Sequence, residues 1–141
     1  MSSKYSPCPC TSGKLYSKCC GPFHSGKELP PTALDLMRSR FAAFALGLTD
    51  YLVKTTHKDN PERKAEAGDM EGSWKKDLDN IASQARFDSL KILEFVDGDS
   101  RSEVTFRAFI TKGEEDLSFT ERSLFTREDG VWLYKEGSIL N

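Results

Sequence analysis

The sequence predicts an α+β protein in which helices precede an antiparallel sheet and a small cysteine-rich segment precedes both. Three observations support this fold class. All four cysteines fall between positions 8 and 20. Apolar residues recur at helical spacing from position 32, and from position 86 apolar and polar residues alternate between glycine-containing turns. Helices followed by strands are typical of the α+β class, and we expect two units, 1–28 and 29–141.

The charge distribution distinguishes the two units. Residues 1–27 contain four lysines and no acidic residue, so the net charge of −2 arises from a basic first segment and an acidic remainder. An acidic surface repels a phosphate backbone, and nucleic-acid binding by the larger unit is therefore not expected.

The N-terminus also bears on location. MSSKYSPCPC has no apolar stretch of the kind found in secretory signals, so we expect the protein in the cytoplasm. No window approaches the roughly 20 apolar residues of a membrane helix, and membrane insertion is not expected. In a reducing compartment, closely spaced cysteines bind metal more often than they form disulfides.

Helical periodicity begins after Thr32, a predicted N-cap, and continues to Gly47, a predicted stop. The apolar face of this helix contains Leu34, Met37, Phe41, Phe44 and Leu48. A second, short helix is expected with Thr49 as its cap and its end near His57. Residues 62–84 predict a weak helix, interrupted by Gly68 and Gly72, and then a better one at about 73–84.

Strand periodicity occupies the rest of the chain. Three turn signals divide it into four strands: Asp97-Gly98, Gly113 and Asp129-Gly130. In the third strand two polar residues interrupt an apolar face that contains Leu117, Phe119, Glu121, Ser123 and Phe125. We expect one face of the sheet to meet the helices. In the second strand, alternation with polar residues assigns four apolar residues to that face: Val104, Phe106, Ala108 and Ile110.

The cysteine pairs at Cys8, Cys10 and Cys19, Cys20 predict one structural Zn²⁺ site, because four thiolates close a tetrahedral site completely. The segment has too few apolar residues for a core of its own, and metal binding can order such a segment. Backbone amides just after the first pair are expected to donate to the sulfurs. Free structural cysteines, a redox pair or a vicinal disulfide are the alternatives, and His24 is an alternative to Cys20 as a ligand.

The segment CPCTSGK at 8–14, followed by Tyr16 and by KCCG at 18–21, resembles the SEC-C motif, a zinc module that also ends the preprotein translocase ATPase SecA. The SecA module is a partner-binding element, so the resemblance implies a protein partner, with ribosome-related and secretion-related proteins as candidates. Thr11 occupies a position where the motif usually has Gly, and a positive φ angle there would strain a threonine.

A second resemblance covers essentially the whole chain. LMRSRF at 36–41, DYL at 50–52 with His57, and ERS at 121–123 are similar to the YchJ family. This resemblance implies a SEC-C module followed by a nuclear transport factor 2-like domain, in which helices pack into a strongly curved sheet and form a cone. Some members carry another SEC-C motif at the C-terminus, and residues 21–141 contain no cysteine that could form one.

Within such a cone, the sequence offers a few polar candidates. Glu121 on the strand face, Arg38 beside the helical face and His57 at a helix end are the main ones, with Ser123 and Tyr51 as additions. A buried Glu would have a raised pKa, as a general acid or base needs, unless an Arg adjoins it. We favour the structural alternative, a buried Arg38–Glu121 ion pair, and a structural role for His57.

Two functions follow from these features. The first is a binding or adapter protein whose zinc module recruits a partner and whose cone is a stable body that holds a small apolar ligand or dimerises. The second is an isomerase- or hydratase-like enzyme that uses Glu121 or His57 as a base in the cone. We prefer the first, because no nucleophile setting, phosphate-binding loop or dinucleotide fingerprint is present in the sequence.

Overall fold

The computed structural model describes residues 6–65 and 71–140. Within these ranges the helical elements are a 3-10 turn at Tyr16–Lys18, α1 (Gly21–His24), α2 (Ala33–Leu46), α3 (Thr49–Lys54), α4 (Pro61–Ala65) and α5 (Glu71–Gln84). The helix predicted at 73–84 thus begins two residues earlier. Gly68, one of the two predicted interruptions, lies outside the described residues. No helix in these ranges is long and apolar enough to cross a membrane.

An antiparallel sheet follows the helices. Its strands are β1 (Arg86–Val96), β2 (Arg101–Lys112), β3 (Glu115–Asp116), β4 (Phe119–Glu128) and β5 (Val131–Ile139). The order is β1-β2-β4-β5, and the two-residue β3 pairs with β2. The α+β class and the three predicted turns are confirmed, while the short β3 adds a strand to the four expected.

The predicted limits of α2 are confirmed by its caps. The backbone N–H of Asp35 donates to the side chain of Thr32 at 3.1 Å, and Gly47 ends the helix with φ 73°. The cap predicted at Thr49 is wrong: Thr49 is the first residue of α3 and Leu48 precedes it. Its buried hydroxyl has no hydrogen-bond partner among the described residues, so tertiary packing and not capping fixes the start of α3.

The core lies between α2 and one face of the sheet. The alternation predicted in β2 is confirmed, since Val104, Phe106, Ala108 and Ile110 are all buried. They form one cluster with residues of α2, β1, β4 and β5, among them Leu36, Met37, Phe41, Leu90, Phe125 and Trp132. Register shifts in β1 and between β4 and β5 are the irregularities that bend strands and let a sheet wrap around helices.

Candidate metal centre and cavity

Four cysteine sulfurs meet where the N-terminal segment touches α2. The Sγ atoms of Cys8, Cys10, Cys19 and Cys20 all lie within 4.8 Å of one another. Cys19 Sγ is 3.5 Å from that of Cys10 and 3.9 Å from that of Cys20, far beyond a disulfide bond. A tetrahedral zinc ion with bonds of about 2.3 Å separates its sulfur ligands by roughly 3.8 Å. The spacing therefore suits such an ion.

A tight fold of the chain brings the two cysteine pairs together. The backbone N–H of Cys8 donates to the carbonyl of Lys14 at 2.9 Å, which closes the loop after the first pair. Thr11 and Gly13 in this loop have φ angles of 62° and 91°. The positive φ considered for Thr11 is thus present. The 3-10 turn Tyr16–Lys18 then directs the second pair back towards the first.

Hydrogen bonds reach several of the sulfurs. The backbone amides of Cys10 and Cys20 bond to the sulfur of Cys8, and the amide of Ser12 bonds to that of Cys10. The Ser12 hydroxyl lies 3.2 Å from Cys19 Sγ. Amide donors are therefore present at the first pair, as expected, and they favour thiolates.

The thiols of Cys8, Cys10 and Cys20 influence one another's ionisation. The pKa of Cys20 is raised most by its hydrogen bond to Cys10, next by its hydrogen bond to Cys8, and less by burial. The hydrogen bond to Cys10 likewise raises the pKa of Cys8 to about 12. The hydrogen bonds from Cys20 and Cys8 lower the pKa of Cys10, so a thiolate at Cys10 is favoured beside protonated neighbours. A divalent cation removes this conflict, since it binds thiolates and displaces their protons. The donor set is thus compatible with a metal ion.

His24, the alternative ligand, lies outside the sulfur group and is engaged elsewhere. Its Nδ1 is 2.7 Å from the hydroxyl of Tyr16, and its Nε2 is 2.8 Å from the carbonyl oxygen of Ser39. A carbonyl can only accept, so Nε2 carries the proton and Nδ1 accepts from Tyr16. Burial lowers the pKa of His24 and keeps the ring neutral. Because both nitrogens are used, the geometry favours Cys20 as the fourth candidate ligand.

His24 instead connects the cysteine segment to the helices. Its ring packs edge-on against Tyr51 with centroids 4.8 Å apart, and the Tyr51 hydroxyl is 2.7 Å from that of Ser39. Ala42, which is fully buried on α2, packs directly against the cysteines. The cysteine segment is therefore joined to α2 and α3 by a polar chain on one side and by close apolar contact on the other.

A cavity of about 420 Å³ opens between the helices and the sheet. Its volume lies within the range of small-molecule sites. Most of its wall is aromatic or aliphatic, and its polar lining consists of Arg40, Thr56, Asn60, Glu62, Glu121, Ser123 and Tyr134. Of the polar residues considered from the sequence, it contains Glu121 and Ser123 and lacks Arg38, His57 and Tyr51.

Glu121 extends from β4 into this cavity. Its Oε2 accepts hydrogen bonds from the hydroxyls of Ser123, at 2.5 Å, and Tyr134, at 3.2 Å. Burial is the largest influence and raises the pKa of Glu121 above its ordinary value. Those two hydrogen bonds and the positive charge of Arg40 act in the opposite direction. The raised pKa anticipated for a carboxylate among apolar neighbours is present.

Arg40, not Arg38, supplies the positive charge near Glu121, so the ion pair favoured from the sequence is wrong. Arg40 Nη1 donates to the carbonyl of Leu52 and to the hydroxyls of Thr55 and Thr56 at 2.7–3.1 Å. Across the described residues no ion pair within 4.0 Å joins Glu121 to an arginine.

The guanidinium of Arg40 also lies 4.6 Å from the ring centroid of Tyr134. Burial lowers the pKa of Arg40 to about 10, and the group stays charged at neutral pH.

His57 lies beside the cavity and not in its wall. Its backbone N–H donates to the carbonyl of Tyr134 at 2.8 Å. Its Nδ1 accepts from the amide of Asp59 at 2.9 Å. Its Nε2 is 3.7 Å from a carboxylate oxygen of Glu128. The contacts with Tyr134 and Glu128 join the segment after α3 to β5 and to the end of β4, which agrees with a structural role.

Family models match most of the chain. The model described as "YchJ, middle NTF2-like domain" matches residues 32–137, and the SEC-C motif matches residues 6–22. The chain belongs to the YchJ family. Its larger unit is accordingly an NTF2-like cone preceded by a SEC-C segment, while the division at 28/29 stays a prediction.

Bacterial relatives match this chain over nearly all of its length. It is 40% identical to the UPF0225 protein SCO1677 of Streptomyces coelicolor over 96% of this chain and 97% of that protein. It is 41% identical to the UPF0225 protein SG1365 of Sodalis glossinidius over 94% of this chain and 82% of the other.

Solved structures agree with the YchJ fold. The solution structure of a SEC-C motif containing protein from Rhodopseudomonas palustris has a TM-score of 0.80 at 33% identity, covering 96% of this chain and all of that one. A crystal structure of a SEC-C motif containing protein from Psychrobacter arcticus has a TM-score of 0.76 at 23% identity, covering 98% and 85%, and supports the fold alone.

Sequence reasoning missed two residues of the YchJ cavity, Arg40 and Tyr134. Arg40 stands between Met37 and Phe41 in the helical pattern, and this placement was the available signal for its position near the apolar face. Tyr134 lies two residues after the buried Trp132 on β5, and therefore on the same face of the strand. The pairing of β5 with β4 is regular from Val131 to Tyr134, so simple alternation from Trp132 was the available signal for its inward placement.

Proposed function

We propose that this protein is a zinc-dependent adapter, in which the SEC-C segment binds one structural Zn²⁺ and presents a surface to a protein partner. The arrangement of four sulfurs within 4.8 Å of one another carries the proposal. Soft thiolate donors in tetrahedral spacing favour zinc over hard cations such as Mg²⁺ or Ca²⁺. Cys8, Cys10, Cys19 and Cys20 would hold the ion, which would supply structural order and no reaction.

The surface of the segment supports a binding role. Lys14, Lys18 and Lys27 are exposed, and Leu15 between the first two is 40% exposed. Between residues 6 and 27 no acidic side chain is present to neutralise these lysines. Positive charge around an apolar side chain suits a complementary protein surface, because charge guides encounter and the apolar contact adds affinity. The partner-binding tail of SecA, which the motif resembles, points the same way.

The cone forms the second part of the proposal. We expect it to act as the rigid body that carries the zinc segment and to hold a small, largely apolar ligand in its cavity. The polar chain through His24 and Ser39 and the contact with Ala42 would transmit order from the metal site to α2. A cytoplasmic location remains our expectation.

The test combines metal analysis with affinity capture from native lysate. Untagged wild-type protein should contain about one zinc per chain, and a metal content near zero would end the zinc claim. Cys19→Ser with Cys20→Ser should lose the metal and, with it, the captured partner, while the folded cone is verified by the dispersion of its NMR spectrum.

A charge-matched pair of variants separates the surface from the metal. Lys14→Glu with Lys18→Glu should retain zinc and lose the partner. Lys76→Glu with Lys112→Glu makes the same charge change at exposed positions of α5 and β2 and should retain both. Equal capture by all four baits, or capture of nothing reproducible by wild type, contradicts the adapter proposal.

One observation favours the second candidate, an isomerase- or hydratase-like reaction: a carboxyl group with raised pKa faces an apolar cavity. Such enzymes remove a proton beside a carbonyl group. A simple test follows the exchange of deuterium into the methyl group of acetonaphthone in D₂O. Wild type should accelerate this exchange and Glu121→Gln should not. Equal exchange with both proteins excludes Glu121 as a base.

A further inference from the structure

The polar groups of the cavity form one continuous cluster. The Arg40 guanidinium rests on the ring of Tyr134, whose hydroxyl donates to Glu121, which also accepts from Ser123. The opposite walls contribute Trp74 and other apolar side chains: Leu78, Phe87, Phe106, Ile110 and Phe119. The cavity therefore has a polar end and an apolar remainder, which is the arrangement of an amphipathic ligand site.

Each charged group at the polar end retains an unused hydrogen-bonding atom. Ser123 and Tyr134 both donate to Oε2 of Glu121, and in the described part of the chain no protein group bonds to Oε1. Arg40 uses only Nη1 for its three hydrogen bonds, which leaves Nη2. Neither atom is among the buried polar atoms that lack a partner in the described ranges, so both remain accessible. Because both residues line the cavity, one acceptor and one donor are available at its polar end.

The charges at this end select against an ionic ligand. An anionic head group would approach Arg40 but would also meet Glu121 and, near solvent, the exposed Glu62. A cationic head group would meet Arg40 and lose its hydration against aromatic walls. An uncharged group that both donates and accepts satisfies the two unused atoms without either conflict.

We infer that the cavity binds an uncharged aromatic or other apolar molecule with one hydroxyl or primary amide group, which donates to Glu121 and accepts from Arg40. This inference rests on the proposed ligand role of the cone and names the chemistry of its ligand. The zinc-dependent adapter role is independent of it.

Four probes with the same aromatic body and different head groups test the inference. Methylnaphthalene has no polar group, naphthylmethanol carries a hydroxyl, naphthylmethylamine is a cation at neutral pH, and naphthoate is an anion. Each is titrated into the zinc-loaded, full-length protein, and the amide shifts of Phe106, Ala108 and Phe119 in NMR spectra report binding in the cavity. Naphthylmethanol should bind about tenfold more tightly than each of the others, as one or two added hydrogen bonds allow.

Two variants and one control variant keep the test decisive. Glu121→Leu removes the acceptor and should reduce naphthylmethanol affinity to that of methylnaphthalene, whose own binding verifies that the cavity is intact. Ala108→Leu fills the cavity and should abolish binding of both probes, whereas Phe109→Leu at the next position of β2, outside the cavity lining, should not.

The outcomes distinguish failure of the ligand role of the cone from failure of the inferred head group. If none of the four probes binds wild type, the cavity is no ligand site and the ligand part of the proposed function fails with it. A second outcome is that methylnaphthalene binds and naphthylmethanol binds no more tightly, and a third is that a charged probe binds best. In either case the cavity is a ligand site, but the inference that its ligand carries an uncharged head group between Glu121 and Arg40 is wrong.

Discussion

Thr11 is joined to Leu90 by two hydrogen bonds through a single hydroxyl group. The Leu90 amide donates to Thr11 Oγ1 at 3.1 Å, and that hydroxyl donates to the Leu90 carbonyl at 3.4 Å. β1 lies at the edge of the sheet, so these backbone groups of Leu90 point away from β2 and need partners. The cysteine segment thus covers an open strand edge. These bonds offset the cost of about 1–2 kcal/mol for the left-handed φ of Thr11, where the motif usually has Gly.

Replacing Thr11 with Val should loosen this attachment, since Val keeps the branched shape and removes the hydroxyl. We expect a loss of about 1–3 kcal/mol in the free energy of unfolding and faster hydrogen exchange of the Leu90 amide. Thr11→Ser retains the hydroxyl and should leave the exchange rate slow. Unchanged exchange at Leu90 in Thr11→Val would contradict the role of this contact.

Removal of the His24 side chain should leave the metal site loaded. Because both ring nitrogens bond to Tyr16 and Ser39, His24→Ala should bind about one zinc per chain. The variant should nevertheless be less stable by about 1–3 kcal/mol, since buried partners lose their hydrogen bonds. Metal analysis and chemical denaturation measure the two effects, and Cys20→Ser serves as the comparison that loses metal. A metal content near zero in His24→Ala would make it a ligand after all.

The sequence predicted those features that depend on local spacing. The caps at Thr32 and Gly47, the inward face of β2 and the proximity of the four cysteines each follow from patterns of a few residues. Periodicity and turn chemistry are physical constraints that act along the chain, so a single sequence can reveal them.

The polar end of the cavity depended on information outside those patterns. Arg38 and Arg40 flank the apolar face of α2 on opposite sides, at similar angles, because each residue of a helix advances by about 100°. Helical spacing therefore could not choose between them. The Leu52 carbonyl of α3 and the two threonine hydroxyls just after α3 hold Arg40, and the tertiary fold brings them near it. The segment after α3 is in turn positioned by backbone bonds to Tyr134 on β5.

Glu121 should make stability fall as pH rises. Its pKa is raised in the folded protein above the ordinary 4.5. The folded state therefore keeps a proton that the unfolded chain has released, and stability declines from about pH 4.5 upward until the folded group ionises. Glu121→Gln removes this decline, so its free energy of unfolding relative to wild type should increase between acidic and neutral pH.

Chemical denaturation of both proteins at a series of pH values measures this difference, and effects of the cysteine cluster, which both proteins share, cancel in it. The same substitution at Glu94, an exposed residue of β1, controls for the change in net charge. If the advantage of Glu121→Gln instead shrinks as pH rises, attraction from Arg40 outweighs burial, and Glu121 acts as the charged partner of that arginine.

The Glu121 side chain lies over Gly137 of β5. A Cβ atom there would overlap the Glu121 carboxylate and sit 2.7 Å from the Tyr134 hydroxyl. Gly137→Ala should therefore lower the free energy of unfolding by about 1–3 kcal/mol. In a Glu121→Ala background the carboxylate is gone, and the Tyr134 hydroxyl, released from its hydrogen bond to Glu121, is the close atom that remains. The same change should then cost less than about 1 kcal/mol, because Ala otherwise suits a strand better than Gly. A double-mutant cycle measures the coupling. An equal cost in both backgrounds would show that Gly137 is required for a reason other than the placement of Glu121.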